Sequence, residues 1–230
     1  MRFDILTLFP EMCEAVLNES IIGRAQKSGT IEAFCHNIRD FAGNKHNRID
    51  DAPYGGGKGM VMQAEPIFNC FKSIYDGEDK PHLIYMSPKG KTFCQEDAVR
   101  LSKYKRIAIL CGHYEGVDQR VLDEIVDEEI SIGDFVLTGG ELPALAVVDA
   151  VSRMIPGVLS EEVCFTDESH FNGLLEYPQY TRPEVWHGVA VPDILLSGHH
   201  KNIQKWRDEQ SLELTRKLRP DMLSETNSLK

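Results

Sequence analysis

Apolar positions in the first two thirds of the chain follow two alternating rhythms. Residues 3–9, 31–38, 82–86 and 106–111 are short apolar runs, and Arg106-Ile107-Ala108-Ile109-Leu110-Cys111 is polar only at its first position. Runs of that length fit strands buried on both faces. Between them, apolar residues recur near every third or fourth position. Over residues 11–27, Met12, Ala15, Val16, Ile22 and Ala25 keep a helical spacing, and Gly29 follows as a stop, so one helix is predicted there. Residues 65–75, 95–102 and 141–154 predict three more helices, the last strongly apolar and ended by Pro156-Gly157. Apolar stretches at 126–132 and 135–137 lie between the last two. Strand and helix patterns in alternation imply an α/β domain with a largely parallel sheet.

The pattern changes after Gly157. Residues 159–173 are polar, acidic and weakly periodic, which marks them as a linker between a domain at 1–158 and another at 174–230. Helical spacing returns beyond Pro192. Ser197 is expected to cap a helix carrying His200, Ile203, Trp206 and Arg207, with a further amphipathic piece reaching Leu218. From His199 to Arg219 stand six Lys or Arg (Lys201, Lys205, Arg207, Arg216, Lys217, Arg219) against three acids. Such a stretch is either a solvated helix face or a surface for phosphates.

Composition narrows the class. The chain has 230 residues, 42% hydrophobic and 27% charged, which excludes disordered and fibrous proteins. Its net charge of −11 argues against a sequence-blind DNA coat or a binder of anionic membranes, but leaves room for a local basic face. No segment approaches the roughly 20 apolar residues that span a bilayer. The run at 5–9 is too short for a signal-peptide core. Cys13, Cys35, Cys70, Cys94, Cys111 and Cys164 include no Cys-x-x-Cys pair. They are expected to be small buried thiols, reduced in a cytoplasmic protein.

Three glycine-rich segments carry the candidate chemistry. In the first, Asp50-Asp51-Ala52-Pro53-Tyr54-Gly55-Gly56-Gly57-Lys58-Gly59-Met60, the Gly-Lys pair suggests a phosphate loop. That loop requires a Ser or Thr after the lysine to hold magnesium, and Gly59 stands there instead, so nucleotide hydrolysis is rejected. The second, residues 110–120, begins at the carboxyl end of a buried strand, where open α/β sheets bind ligands. The third, residues 131–143, leads into the apolar helix, and Gly139 and Gly140 are expected to offer free backbone N–H groups there. Two such loops at consecutive strand ends point to a small-molecule pocket.

Together these segments resemble the bacterial tRNA (guanine-N1)-methyltransferases, of the SPOUT class of knotted methyltransferases. The resemblance rests on Leu8-Phe9-Pro10-Glu11-Met12, Arg39-Asp40-Phe41, the 50–60 loop, Ser87-Pro88-Lys89-Gly90, residues 111–118 and 131–143, Ser152-Arg153-Met154-Ile155-Pro156-Gly157, Gly173-Leu174-Leu175-Glu176-Tyr177-Pro178-Gln179-Tyr180-Thr181-Arg182-Pro183 and Ser197-Gly198-His199-His200. These follow the family's order over almost the whole chain. The resemblance implies a mainly parallel α/β sheet with a C-terminal trefoil knot, then a small helical domain that binds tRNA. It also implies a homodimer, S-adenosylmethionine as donor, and N1 of guanosine 37 in tRNA as acceptor. The residues it assigns to the donor are Tyr85, Ser87, Pro88, Gly112, Tyr114, Ile132, Gly133, Asp134, Phe135, Val136, Leu137, Gly139 and Gly140.

The catalytic assignments also come from the resemblance. Arg153 corresponds to the residue that steadies charge on guanine O6. Without the family, it would read as a cation at a helix C-terminus. Glu115 is a candidate for Mg2+, for the donor's amino group or for Arg153. The family's general base is an aspartate in the linker. An ungapped count from Arg153 to Gly173 places Glu168 there, with Asp167 one residue before it, so both remain candidates. The competing functions are another SPOUT RNA methyltransferase with a different target atom, and a catalytically silent RNA-binding relative.

Overall fold

The computed structural model of the chain describes residues 1–75, 77, 79–160 and 168–225. It divides into two compact units, Met1–Ser160 and Glu161–Lys230. The first unit runs β1 (Arg2–Thr7), α1 (Pro10–Leu17), α2 (Ser20–Lys27), β2 (Glu32–Asn37), a 3-10 turn (Ile38–Phe41), β3 (Asp50–Asp51), β4 (Val61–Met62), α3 (Ala64–Ser73), β5 (His82–Thr92), α4 (Gln95–Leu101), β6 (Arg106–Cys111), α5 (Gln119–Ile125), β7 (Glu128–Ser131) and α6 (Glu141–Arg153). The main sheet has the order β2-β1-β6-β5-β7, and every pairing in it is parallel. This is the α/β class that the alternating pattern predicts.

The apolar runs form strands because both faces of the sheet are covered. Leu6, Leu83, Tyr85, Ala108 and Leu110 pack with Ile67, Phe71, Val121 and Leu122 in one core, beneath α3 and α5. On the opposite alternation, Phe3, Ile5, Ile84, Ile107 and Ile109 are fully buried. The helix α6 packs against β1, β6, α1 and α4. Since β7 is the edge strand, the chain after Ser131 must cross the ends of β5 and β6 to reach that place.

The structure differs from the pattern in several places. The single helix expected at 11–27 is two, α1 and α2, with Ser20, the first residue of α2, at φ 53. The break folds back so tightly that a side chain at Gly23 would collide with the Asn18 carbonyl. Strand β5 does not end at Met86. It bulges through 87–90 and pairs with β7 again at Lys91 and Thr92. Pro88 and Gly90 lie in the bulge, and β7 supplies a second set of backbone partners beyond it. In the 42–62 stretch, β3 and β4 form a short antiparallel ladder. Residues 119–125, assigned no element by the pattern, form α5.

In the second unit, Ser197 does not cap the long helix. It follows the short helix Asp193–Leu196, and its hydroxyl accepts from the His199 N–H at 3.2 Å. One continuous helix, His200–Leu218, replaces the two pieces, and a hairpin at Val185–Trp186 and Val189–Ala190 was not expected. Cys13, Cys70 and Cys111 are buried thiols, but Cys35 is half-buried and Cys94 is exposed. Cys164 lies outside the described residues.

Among the buried polar groups, Asp4 carries an ion-pair network. The Asp4 carboxylate is fully buried and accepts from Arg2 at 2.7 Å, Arg106 at 3.1 Å and His36 at 2.8 Å. Burial pushes its carboxyl up, but the hydrogen bonds from His36, Arg2 and Arg106 outweigh this and hold it below the usual carboxylate range. Its stabilising contribution is therefore complete above the ordinary carboxylate pKa and is lost as the pH falls through the lower folded-state value. Asp4→Asn removes the charge and sets an amide donor against these three donors, and is expected to cost about 3 to 5 kcal/mol at neutral pH. Thermal melting should show a gap between variant and wild type that narrows in acid. A gap that is absent at neutral pH, or that widens in acid, refutes this account.

Candidate active site

The carboxyl ends of β5, β6 and β7 enclose a cavity of about 290 Å³. It is built from three loops. The β5 kink contributes Tyr85, Ser87 and Pro88, and the segment after β6 contributes Gly112, Tyr114 and Glu115. The crossing segment contributes Ile132, Gly133, Phe135, Val136, Leu137, Gly139 and Gly140. Every residue assigned to the donor from sequence lines this cavity except Asp134. Lys89, His113 and Thr138, which lie in the same three segments, line it too, as does Pro143.

Local backbone geometry shapes the walls. Tyr114 holds φ 59, in the left-handed region that non-glycine residues rarely adopt, and Gly116 at φ 124 turns the chain back. The Tyr85 ring stands beside Gly112, where an added Cβ would lie 2.8 Å from its hydroxyl. Burial, with the charge of Glu129, pushes the Tyr85 hydroxyl up to about 12, so it stays a neutral phenol across the physiological range.

Gly140 departs from expectation. Its N–H is not free for a ligand but donates to the Gly112 carbonyl at 3.0 Å, tying the crossing segment to the loop after β6. His113 and Gly139 form an isolated antiparallel bridge in the same place. The first glycine segment also reaches the cavity wall. The Glu115 N–H donates to the Met60 carbonyl at 3.0 Å, and the Met62 N–H to the Gly116 carbonyl at 2.9 Å. The Glu115 side chain lies so close over Gly59 that a methyl group there would overlap it.

The sequence reading missed a buried acid at this site. Glu141, the first residue of α6, accepts from Thr7 Oγ1 at 2.6 Å and lies 2.8 Å from His113 Nε2. Its position at a helix start reads in sequence as dipole compensation. Its partners stand 134 and 28 residues away, so no local spacing reveals them.

The catalytic candidates are distributed over both units. Arg153 closes α6 in the first. Glu168 is half-exposed in the second, where its carbonyl accepts from the Phe171 N–H at 3.3 Å. Asp167 lies outside the described residues. No group of three His, Cys, Asp or Glu side chains suited to a metal ion occurs among the described residues. In the second unit, the Arg207 guanidinium lies 4.7 Å over the Tyr177 ring, Arg219 pairs with Asp221 at 2.7 Å and Lys205 lies 3.7 Å from Glu209, so at least three of the six tail cations are engaged within the unit.

Comparison with known proteins agrees with this architecture. The sequence matches the family described as "tRNA (Guanine-1)-methyltransferase TrmD" over residues 1–225. It is 60% identical over 225 residues to a protein of Ruminiclostridium cellulolyticum named tRNA (guanine-N(1)-)-methyltransferase, covering 97% of each chain. Proteins of the same name from Alkaliphilus oremlandii and Clostridioides difficile are 57% identical over 231 residues and 51% over 229. These cover 98% and 99% of this chain, and 93% and 99% of theirs.

Proposed function

The chain belongs to the tRNA (guanine-1)-methyltransferase family, and from that premise we propose that it transfers a methyl group from S-adenosylmethionine to N1 of guanosine 37 in tRNA, beside the anticodon. The observation that carries this reading is the cavity at the carboxyl ends of β5, β6 and β7, formed where three glycine loops converge.

The cavity suits the donor. An adenosyl group needs an apolar slot edged by backbone donors and acceptors. Tyr85, Ile130, Leu137 and Pro143 supply apolar wall, and glycines at 112, 133 and 139 let backbone reach the ligand. Bound there, S-adenosylmethionine supplies an electrophilic methyl group.

The protein's own residues handle the proton. Guanine N1 carries a proton at neutral pH, and a carboxylate must take it as N1 becomes the nucleophile. Glu168, or Asp167 beside it, fills that role. The negative charge then spreads onto guanine O6, where the Arg153 guanidinium stabilises it. Glu115, on the cavity wall, orients the donor's amino group or Arg153.

The remaining expectations belong to the same reading. The crossing from β7 over the ends of β5 and β6, with β5 pairing β7 on both sides of its bulge, is the passage where a trefoil knot closes. The second unit, with its long basic helix, binds the tRNA by its phosphates. No helix among the described residues is long and apolar enough to cross a membrane, and we place the enzyme in the cytoplasm.

We further propose that the enzyme is a homodimer. Phe9, Met12 and Val16 are 44%, 43% and 53% exposed and recur at helical spacing from the N-cap along α1, which packs against α6. An apolar stripe of this kind marks a protein contact. Sedimentation at micromolar concentration should give the mass of two chains. A monomer that still methylates tRNA excludes this.

The function is tested by methyl incorporation into tRNA transcripts differing only at position 37. Methylation should require guanosine there. Equal methylation without it indicates another target atom, and none with either transcript indicates a silent RNA-binding relative.

A further inference from the structure

The buried Glu141 has a role that the proposed reaction does not use. Its side chain is 2% exposed, and that of His113 is 14% exposed. His113 Nε2 lies 2.9 and 2.8 Å from the two carboxylate oxygens, and Thr7 Oγ1 donates to one of them at 2.6 Å. The Thr7 hydroxyl in turn accepts from the Phe9 N–H at 2.9 Å. A carboxylate removed from water is stable only with such partners. Here the carboxylate, on the first turn of α6, takes its partners from the end of β1 and the loop after β6.

We propose that the His113–Glu141 pair is a positioning clasp that holds the cavity in its donor-binding shape, acting on donor affinity and not on the methyl-transfer step. The inference rests on reading this cavity as the donor site. The imidazole lies against Gly139, where a Cβ would overlap its Cε1 and Nε2. His113 and Gly139 pair through backbone, and Gly140 is bonded to Gly112. The Phe9 ring covers the imidazole at 5.0 Å between centroids. Removing the imidazole therefore leaves only those backbone bonds to hold the 139–140 turn against the 112–116 loop, and both segments line the cavity. Nε2 and both carboxylate oxygens already face one another, so neither side chain is disposed to accept the guanine proton.

The test measures S-adenosylmethionine and S-adenosylhomocysteine binding by calorimetry, beside saturation kinetics on tRNA. His113→Ala and Glu141→Gln should each weaken donor binding and raise its KM roughly tenfold to hundredfold, the effect of losing a charge-assisted hydrogen bond. The kcat at saturating donor should stay within about twofold, as expected when ground-state binding alone is lost. The double variant should bind no worse than the weaker single, because the pair acts as one unit. His113→Gln, which keeps an N–H toward Glu141, should recover most of the affinity.

Unchanged affinity in both singles, strictly additive losses in the double, or a fall in kcat at unchanged KM overturns the clasp. If His113→Ala does not fold, Glu141→Gln decides alone, since it preserves shape while removing the charge and one acceptor oxygen. A wild type that binds neither ligand overturns the donor-site reading, and the clasp with it. A wild type that binds while the variants bind equally overturns the clasp only.

Discussion

Glu168→Gln is expected to lower the single-turnover rate of methyl transfer by roughly 10²- to 10⁴-fold, the loss typical of a missing general base. Donor affinity should change little, because Glu168 is not part of the cavity wall. The argument is one of reach. Proton transfer needs heavy atoms about 2.6 to 3.2 Å apart, and neighbouring residues on a chain cannot both meet that distance to the same atom. Glu168 heads a local turn: its carbonyl accepts from Phe171, and the His170 N–H donates to the Leu174 carbonyl at 2.9 Å. That turn fixes the backbone from which the carboxylate extends. Asp167→Asn should accordingly cost much less. Single-turnover rates of both variants across pH decide the matter. A dead Asp167→Asn with an active Glu168→Gln moves the base by one residue. Two active variants remove the linker carboxylates from the chemistry.

The second large effect is at Gly140. From sequence, a side chain there would crowd the donor and leave the fold intact. The structure alters that expectation. A Cβ on Gly140 would lie 2.7 Å from Cys111 Cα and 3.0 Å from the Gly112 nitrogen. The obstacle is the backbone of β6, which cannot rotate away as a side chain does. Gly140→Val must push the start of α6 off the sheet, stretch the Gly140–Gly112 hydrogen bond and open the cavity. Donor binding is expected to be lost, and the fold to be weakened by about 1 to 3 kcal/mol, the usual cost of overpacking. Calorimetry with S-adenosylmethionine and a thermal melt read the two effects separately. Normal affinity with a normal melting temperature would show that α6 can shift without consequence. A normal melt with lost affinity would restore the ligand-crowding account.

Much of the site was legible because its chemistry is local. The glycine runs at 112–116 and 133–140 each lie within one loop at one strand end, and short-range pattern suffices to find them. The family resemblance attaches roles to Arg153 and Glu168, which spacing alone would read as a helix-terminal cation and a solvated acid. Sequence missed what depends on partners far along the chain. Glu141 looks like an ordinary acid at a helix start until Thr7 and His113 are placed beside it. Gly140 looks like a ligand donor until its N–H is found bonded to Gly112.

The same division holds for the fold. The apolar runs at 3–9 and 106–111 supply strands in any context that buries both faces, and their composition points to that context, although the first strand closes at Thr7. The apolar character of α6 likewise requires it to lie against a sheet. Strand order is a different kind of fact. Nothing in the residues of β7 says that it pairs with β5 at the edge, or that the following segment returns over β5 and β6. Nor does the turn signal at Pro88 and Gly90 reveal that β5 resumes beyond it at Lys91. A hydrophobic period reports which face of an element is buried, but not against which element. Where two backbones meet closely enough to exclude a side chain, as Gly140 meets Cys111, only the packed structure decides, because the constraint belongs to the pair.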